Sequence, residues 1–142
     1  MVSKDNLSVT KRNGRGKESL NIEKIHSMVG FATEGITGVS ASHVEMNSGI
    51  QFFDGIDTED IQQILIKSAN DLISLDNPNY QYVAARLLLF SLRKKLFHRL
   101  WEHPSFLDHI KSCIKVGMYD EDILVNYTEA EIDKLNGLID HE

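Results

Sequence analysis

The residues with the most chemical potential stand together near the start of the chain. In "LSVTKRNGRGKESLN", residues 7–21, the cations Lys11, Arg12, Arg15 and Lys17 surround two glycines, and Glu18 and Asn21 follow at once. Three chemistries are open to such a stretch: a loop that cradles phosphates, a basic arm for nucleic acid, or a hairpin that aims a lysine at an anion. The first needs two glycines with four residues between them, then Lys and Ser or Thr, between a buried strand and a helix, so that backbone amides surround a phosphate. Here one residue separates Gly14 from Gly16. The second needs a broad basic face, because affinity for a duplex comes from neutralising many phosphates. Residues 1–100 carry 12 Lys/Arg against 11 Asp/Glu, and residues 101–142 carry 3 against 10, which is too little positive excess for nucleic acid.

The third chemistry divides the cations. Arg15 and Lys17, at the turn, read as a solvated edge that discourages strand pairing. Lys11 follows Val9 on the inner side of the hairpin, and with Lys24 on the next helix and Lys94 on a later one it can gather around a single polyanion. Such a cluster repels itself unless an anion is present. Lys94 lies four residues after Phe90 and seven after Leu87, on their helical face, and either snorkels to water or reaches phosphates above an apolar pocket. Thr58 opens a helix, where it serves as a simple cap or marks unsatisfied amides that attract an anion. Glu18 and Asn21 are ordinary hairpin residues or base readers, since a carboxylate accepts from an adenine amino group and an amide both donates and accepts.

No other constellation competes with this one. His98, His103 and His109 are five and six residues apart across Pro104, without cysteine partners, so no metal site is expected. Cys113, the one cysteine, excludes an internal disulfide and reads as a small buried apolar residue. No catalytic set of Ser/His/Asp, Cys/His or paired carboxylates stands out.

These side chains need a scaffold, and the pattern supplies one. With 142 residues, 42% of them hydrophobic, and a net charge of −6, the chain has enough apolar content for one core and a tail. The start "MVSKDNLSV" lacks the apolar core of a signal peptide, and no run approaches the length of a membrane span, so a soluble cytoplasmic protein is expected. "LSVTKR" alternates as a strand, "NGRG" is a turn, and 17–21 is the return strand. Apolar residues at 22, 25, 28, 29 and 32 predict a helix closed by Gly35 and Gly38. A second, shorter helix is capped by Ser40 or Ser42 and stopped by Gly49, and an extended "IQFFDGI" follows. A third begins at Asp57 or Thr58. Pro78 opens a long fourth helix, apolar nearly all round and therefore expected to be central. "FLDHIKSCIKVG" and "DEDILVNYTEAEIDKLNGLID" predict two more amphipathic helices with acidic outer faces.

The chain also resembles a known family. "VTKRNG", "ESLNIEKIH", "ATEG", "IQFFDGIDTEDI", "LIKSANDLIS", "PNYQYVAARL" and "FSLRKK" occur in the order and spacing of the N-terminal part of the large subunit of class Ia ribonucleoside-diphosphate reductases. That part is an ATP-cone, a regulatory nucleotide-binding domain. The likeness continues through "FLDHI", "GMYD" and "LVNYTEAEI", in the segment that links cone to catalytic barrel, and so covers nearly the whole chain. "PNYQYVAAR" is its most specific block.

The resemblance implies a mainly α fold, a four-helix bundle covered by an N-terminal β-hairpin, in residues 1–100, with a helical linker in residues 101–142. It implies ATP or dATP as allosteric ligand, with Mg²⁺. Lys11 and Lys94 would contact phosphates with Thr58 at the helix N-terminus. Glu18 and Asn21 would read the adenine, Lys24 would reach the ribose side, and Val9, Ile25, Ile61 and Phe90 would form apolar walls. Arg12 and Gln62 complete the expected nucleotide-binding set. The implied partners are the remainder of the large subunit and the small, radical-carrying subunit, and ATP and dATP would shift populations between active and inhibited assemblies.

Two positions depart from the family. Histidines are common where this chain has Gln62 and Ser91, and some viral members escape inhibition by dATP, so nucleotide binding with weakened dATP inhibition is expected. The family's barrel, with its radical and reducing cysteines, has no counterpart in these residues. Cys113 falls in the linker and inherits no catalytic role, which suggests a fragment, a stand-alone chain or a split-gene product. Two other functions compete: a free nucleotide-sensing module, as in cone-containing repressors whose zinc ribbon is missing here, and a degenerate protein-interaction cone.

Overall fold

The computed structural model describes residues 7–11, 16–49, 51–98 and 102–139. Three short strands and seven helices are described. β1 (Ser8–Thr10) and β2 (Lys17–Ser19) form the expected antiparallel hairpin, with Val9 opposite Glu18 and Thr10 opposite Lys17. Then come α1 (Ile22–Thr33), α2 (Ala41–Gly49), β3 (Ile56–Asp57), α3 (Thr58–Asp71), α4 (Tyr80–Phe97), α5 (Phe106–Lys115), α6 (Asp122–Asn126) and α7 (Glu129–Asn136). The structure is thus mainly helical with a small N-terminal sheet, as read from the pattern. Among the described residues, no helix is long and apolar enough to cross a membrane.

β3 is an addition to the expected hairpin. It runs parallel to β1, with Val9 opposite Ile56 and Thr10 opposite Asp57, giving the order β2-β1-β3. The segment before it is tied down by side chains. Asp54 Oδ1 accepts from the Ser8 amide at 2.8 Å and the Ser8 hydroxyl at 2.7 Å, Gly55 N donates to Ser8 O at 2.9 Å, and Thr10 Oγ1 donates to Gly55 O at 3.0 Å. Gly55 has φ +81°, a conformation that favours glycine, and it turns the chain into β3. These bonds fix the start of α3 beneath the hairpin.

The bundle closes around Val29, Ala32, Val44, Leu65, Ala69 and Val83, all without exposed surface. Ala32 and Ala69 carry little volume and let the helices approach closely. α3 packs most extensively on α4 and also meets α2, while α1 meets α2 and α4. Loop groups lock this arrangement. The buried Tyr80 hydroxyl accepts from Ser40 N at 3.0 Å, Asn79 Nδ2 donates to Thr37 O at 2.9 Å, and Arg86 donates to Glu34 O at 2.6 Å at the end of α1.

Two expectations need correction. α4 is not surrounded: Val83, Leu87 and Phe90 are buried, but Leu88, Leu89, Leu92 and Leu96 on other faces are exposed, because the bundle packs on one face only. The last helical stretch is also broken into α6 and α7. Tyr127 is extended, and Thr128 starts a new helix through a capping box, its hydroxyl accepting from Glu131 N while Glu131 Oε2 accepts from Thr128 N at 2.9 Å. α5 packs on α7, where Ile110, Cys113 and Ile132 are buried.

Candidate functional site

A cavity of about 400 Å³ opens between the hairpin, α1, the start of α3 and the end of α4. Each element contributes through its own periodicity. β1 and β2 place Val9 and Glu18 opposite each other on the face toward the helices. Asn21, Lys24, Ile25 and Met28 recur on one face of α1 at helical spacing, as do Thr58, Ile61 and Gln62 on α3. Lys94 comes from the last turn of α4.

The cavity is therefore amphipathic by construction. Val9, Ile25, Met28 and Ile61 are buried apolar residues that also line it. Lys24 and Lys94 bring positive charge, and the first turn of α3 brings amides. The residue before α3, Asp57, makes no side-chain cap hydrogen bond, so its carboxylate does not compete for those amides. Gln62 is 4% exposed, and its Nε2 lies 4.0 Å from Met28 Sδ.

Charge converges on Glu18. Its carboxylate pairs with Lys11 Nζ at 3.0 Å across the hairpin. The Glu18 carboxyl is held below its ordinary range, first by the Lys11 hydrogen bond and, against partial desolvation, by the charges of Lys11, Lys24 and Lys94. The three lysines singled out by sequence thus share one electrostatic field, with a carboxylate among them. Asn21 also begins the neighbouring helix. Its Oδ1 accepts from Lys24 N at 3.1 Å and caps α1, which commits the oxygen end of the amide locally.

Of the anticipated residues, Val9, Glu18, Asn21, Lys24, Ile25, Thr58, Ile61, Gln62 and Lys94 line this one cavity. Lys11 meets it through Glu18 and does not line it. Phe90 is buried in the core and Ser91 is buried, and neither lines the cavity. Arg12 lies outside the described residues. Leu20, Glu23, Ser27 and Met28 line the cavity without having been anticipated. Met28 was legible in principle, because it falls one turn beyond Lys24.

Comparison with known proteins identifies the family. The ATP cone domain family matches residues 7–95. The alpha subunit of ribonucleoside-diphosphate reductase 1 from Escherichia coli (strain K12) is 48% identical over 137 residues, 96% of this chain. The ribonucleoside-diphosphate reductase alpha subunit of Buchnera aphidicola (subsp. Acyrthosiphon pisum) is 49% identical over 97% of the chain, and that of Enterobacteria phage T4 is 40% identical over 96%. In each case the chain spans 18% of the relative's length. The chain belongs to the ATP cone family of nucleotide-binding regulatory domains, in the form carried by ribonucleotide reductase large subunits.

Proposed function

We propose that this cavity binds ATP or dATP and that the chain is the activity-regulating domain of a ribonucleotide reductase, an oxidoreductase whose chemistry lies elsewhere in the enzyme. One observation carries the reading: Lys24, Lys94 and the uncapped first turn of α3 converge on an apolar cavity large enough for a nucleotide. Phosphates seat against Lys94, the Thr58 end of α3 and, once it leaves Glu18, Lys11. Val9, Ile25 and Ile61 sandwich the adenine, with Phe90 supporting them from behind. Glu18 and the nitrogen end of Asn21 face its polar edge, and Lys24 lies toward the ribose.

The lining offers ammonium groups and amides to phosphate oxygens, and Mg²⁺ fits this site as the companion of a triphosphate. Arg12, the next cation along the hairpin, belongs to the same proposal. Residues 1–100 form the nucleotide-binding unit. Residues 101–142 form a linker segment, a division supported by the limit of the family match at residue 95 and by the separate packing of α5 on α7. The partners are the remainder of a large subunit and a small radical-carrying subunit, in the cytoplasm. Nucleotide acts by shifting the population of their assemblies. With neutral Gln62 where the family favours histidine, inhibition by dATP is weakened.

Calorimetric titration of the 142-residue chain with Mg²⁺ and ATP or dATP tests the binding. Saturable binding is expected, and Lys94→Ala is expected to weaken it at least about tenfold, in line with loss of a charge-assisted bond of about 1.5 kcal/mol or more. A folded chain that binds neither nucleotide overturns the reading in favour of a degenerate interaction domain.

A further inference from the structure

Cys113 and His109 lie away from the nucleotide cavity, and their donor atoms have the spacing of two ligands to one metal ion. Both stand on α5, four residues apart and so on one face. Cys113 Sγ is 3.6 Å from His109 Nε2. A tetrahedral zinc ion holds a thiolate at about 2.3 Å and an imidazole nitrogen at about 2.0–2.1 Å, which sets the two donor atoms about 3.5–3.6 Å apart. With the imidazole proton on Nδ1, the Nε2 lone pair faces the sulfur, and a metal can take the place of the thiol proton between them.

The surroundings hold this pair in position. Tyr119 meets His109 edge to face, with ring centroids 6.2 Å apart at 82°. The Met118 and Tyr119 amides donate to Cys113 O at 2.8 and 3.4 Å, which folds that turn back over α5. Cys113 is 7% exposed, and both ligand residues line a second cavity, of about 670 Å³, which Leu96 and Phe97 at the end of α4 also line. Such a space admits water to complete a coordination sphere. Residues 101–142 carry 3 Lys/Arg against 10 Asp/Glu, a field that draws cations.

We propose that His109 and Cys113 form a binding site for a borderline-soft divalent cation of the zinc class. Among the described residues no group of three His, Cys, Asp or Glu side chains is placed to hold a metal ion, so water fills the remaining positions and the cation is exchangeable. Binding breaks the Cys113 S–H bond, forms a metal–thiolate bond and releases one proton to solvent. Mg²⁺ prefers oxygen ligands in octahedral array, so this site is distinct from that of any Mg²⁺ accompanying a nucleotide. The spacing of the three histidines gave no metal site because the partner of His109 is the cysteine one turn on.

The test titrates the reduced 142-residue chain, without nucleotide, with Co²⁺ followed by ultraviolet–visible absorption, and then with Zn²⁺ in competition. One equivalent of Co²⁺ is expected to give a sulfur-to-metal charge-transfer band that Zn²⁺ displaces and Mg²⁺ leaves unchanged. Cys113 is the one cysteine, so the band identifies its ligand. Cys113→Ser is expected to abolish the band, with Cys113→Ala as the alternative should serine unfold α5. His109→Gln is expected to weaken Zn²⁺ binding at least about tenfold, the lower end of what loss of a supporting group costs at such sites. His26→Gln, on α1, is expected to change neither readout, and circular dichroism verifies that each variant is folded. A folded wild type without the band, or equal Zn²⁺ affinity in wild type and His109→Gln, overturns the site, whatever the outcome for nucleotide.

Discussion

Asn21 shows how much one side chain carries. Its oxygen caps α1, and the residue also lines the cavity. Asn21→Ala removes both roles and is expected to cost about 1 kcal/mol of stability, measured by denaturant midpoint, together with nucleotide affinity. Asn21→Ser retains a cap oxygen and lacks the reach, so stability stays within a few tenths of a kcal/mol while ATP binding falls. If both variants lose stability equally, the cap hydrogen bond is not what Asn21 contributes. The sequence made this residue a candidate through its type and its place before a helix. The Glu18–Lys11 bond was not legible, because cross-strand partners follow from register, which the turn sequence left open between neighbouring pairings.

At the scale of elements, the loop before α3 governs the site. Asp54 holds Ser8 by two hydrogen bonds, and these lower its carboxyl pKa, side-chain bond first, with the backbone bond and the charge of Lys17 adding to them against desolvation. A carboxyl whose folded pKa is depressed adds stability above its unfolded value and loses it as pH falls through the folded one. Glu18 and Glu131 are shifted the same way, so all three act in the same acidic window, below about pH 4. Asp54→Asn is expected to lower the melting temperature at pH 7 and to reduce the further loss on acidification. A parallel fall of variant and wild type with pH would assign that loss to other carboxylates. Length explains which elements were legible. α1 and α4 span several turns, and their apolar spacing accumulates. β3 has two residues and no alternation to detect. The break at Tyr127 was hidden because Ile123, Leu124, Ile132 and Leu135 continue a helical rhythm across it, although Thr128 and Glu131 form a recognisable cap.

For the whole molecule, the cavity sits where the hairpin, α1, α3 and α4 meet, so on the proposed reading a bound nucleotide contacts all four. ATP and dATP differ by one ribose hydroxyl, and Gln62, packed against Met28, brings an uncharged amide to the cavity wall. The complete reductase containing this chain is therefore expected to remain active at dATP concentrations that saturate the cone. Activity assays over a dATP series test this, and strong inhibition at micromolar dATP would sink the proposal. The bundle was legible in the sequence because its helices are long. Most of the cavity's polar lining was legible through residue chemistry, whereas Leu20 carries none that distinguishes it from core, and Glu23 and Ser27 read as ordinary exposed helix residues.

The bonds between Ser8 and Asp54 join positions 46 residues apart. Contacts of that separation are made only after a long loop has closed, whereas turns within α3 and α4 need no such closure. Docking the hairpin on the segment before α3 therefore requires a long loop to close, and residues 11, 24 and 94 come together only through such distant contacts. On the proposed reading, a nucleotide bound only by the folded form acts as a fastening of the fold whose strength grows with its concentration over its dissociation constant.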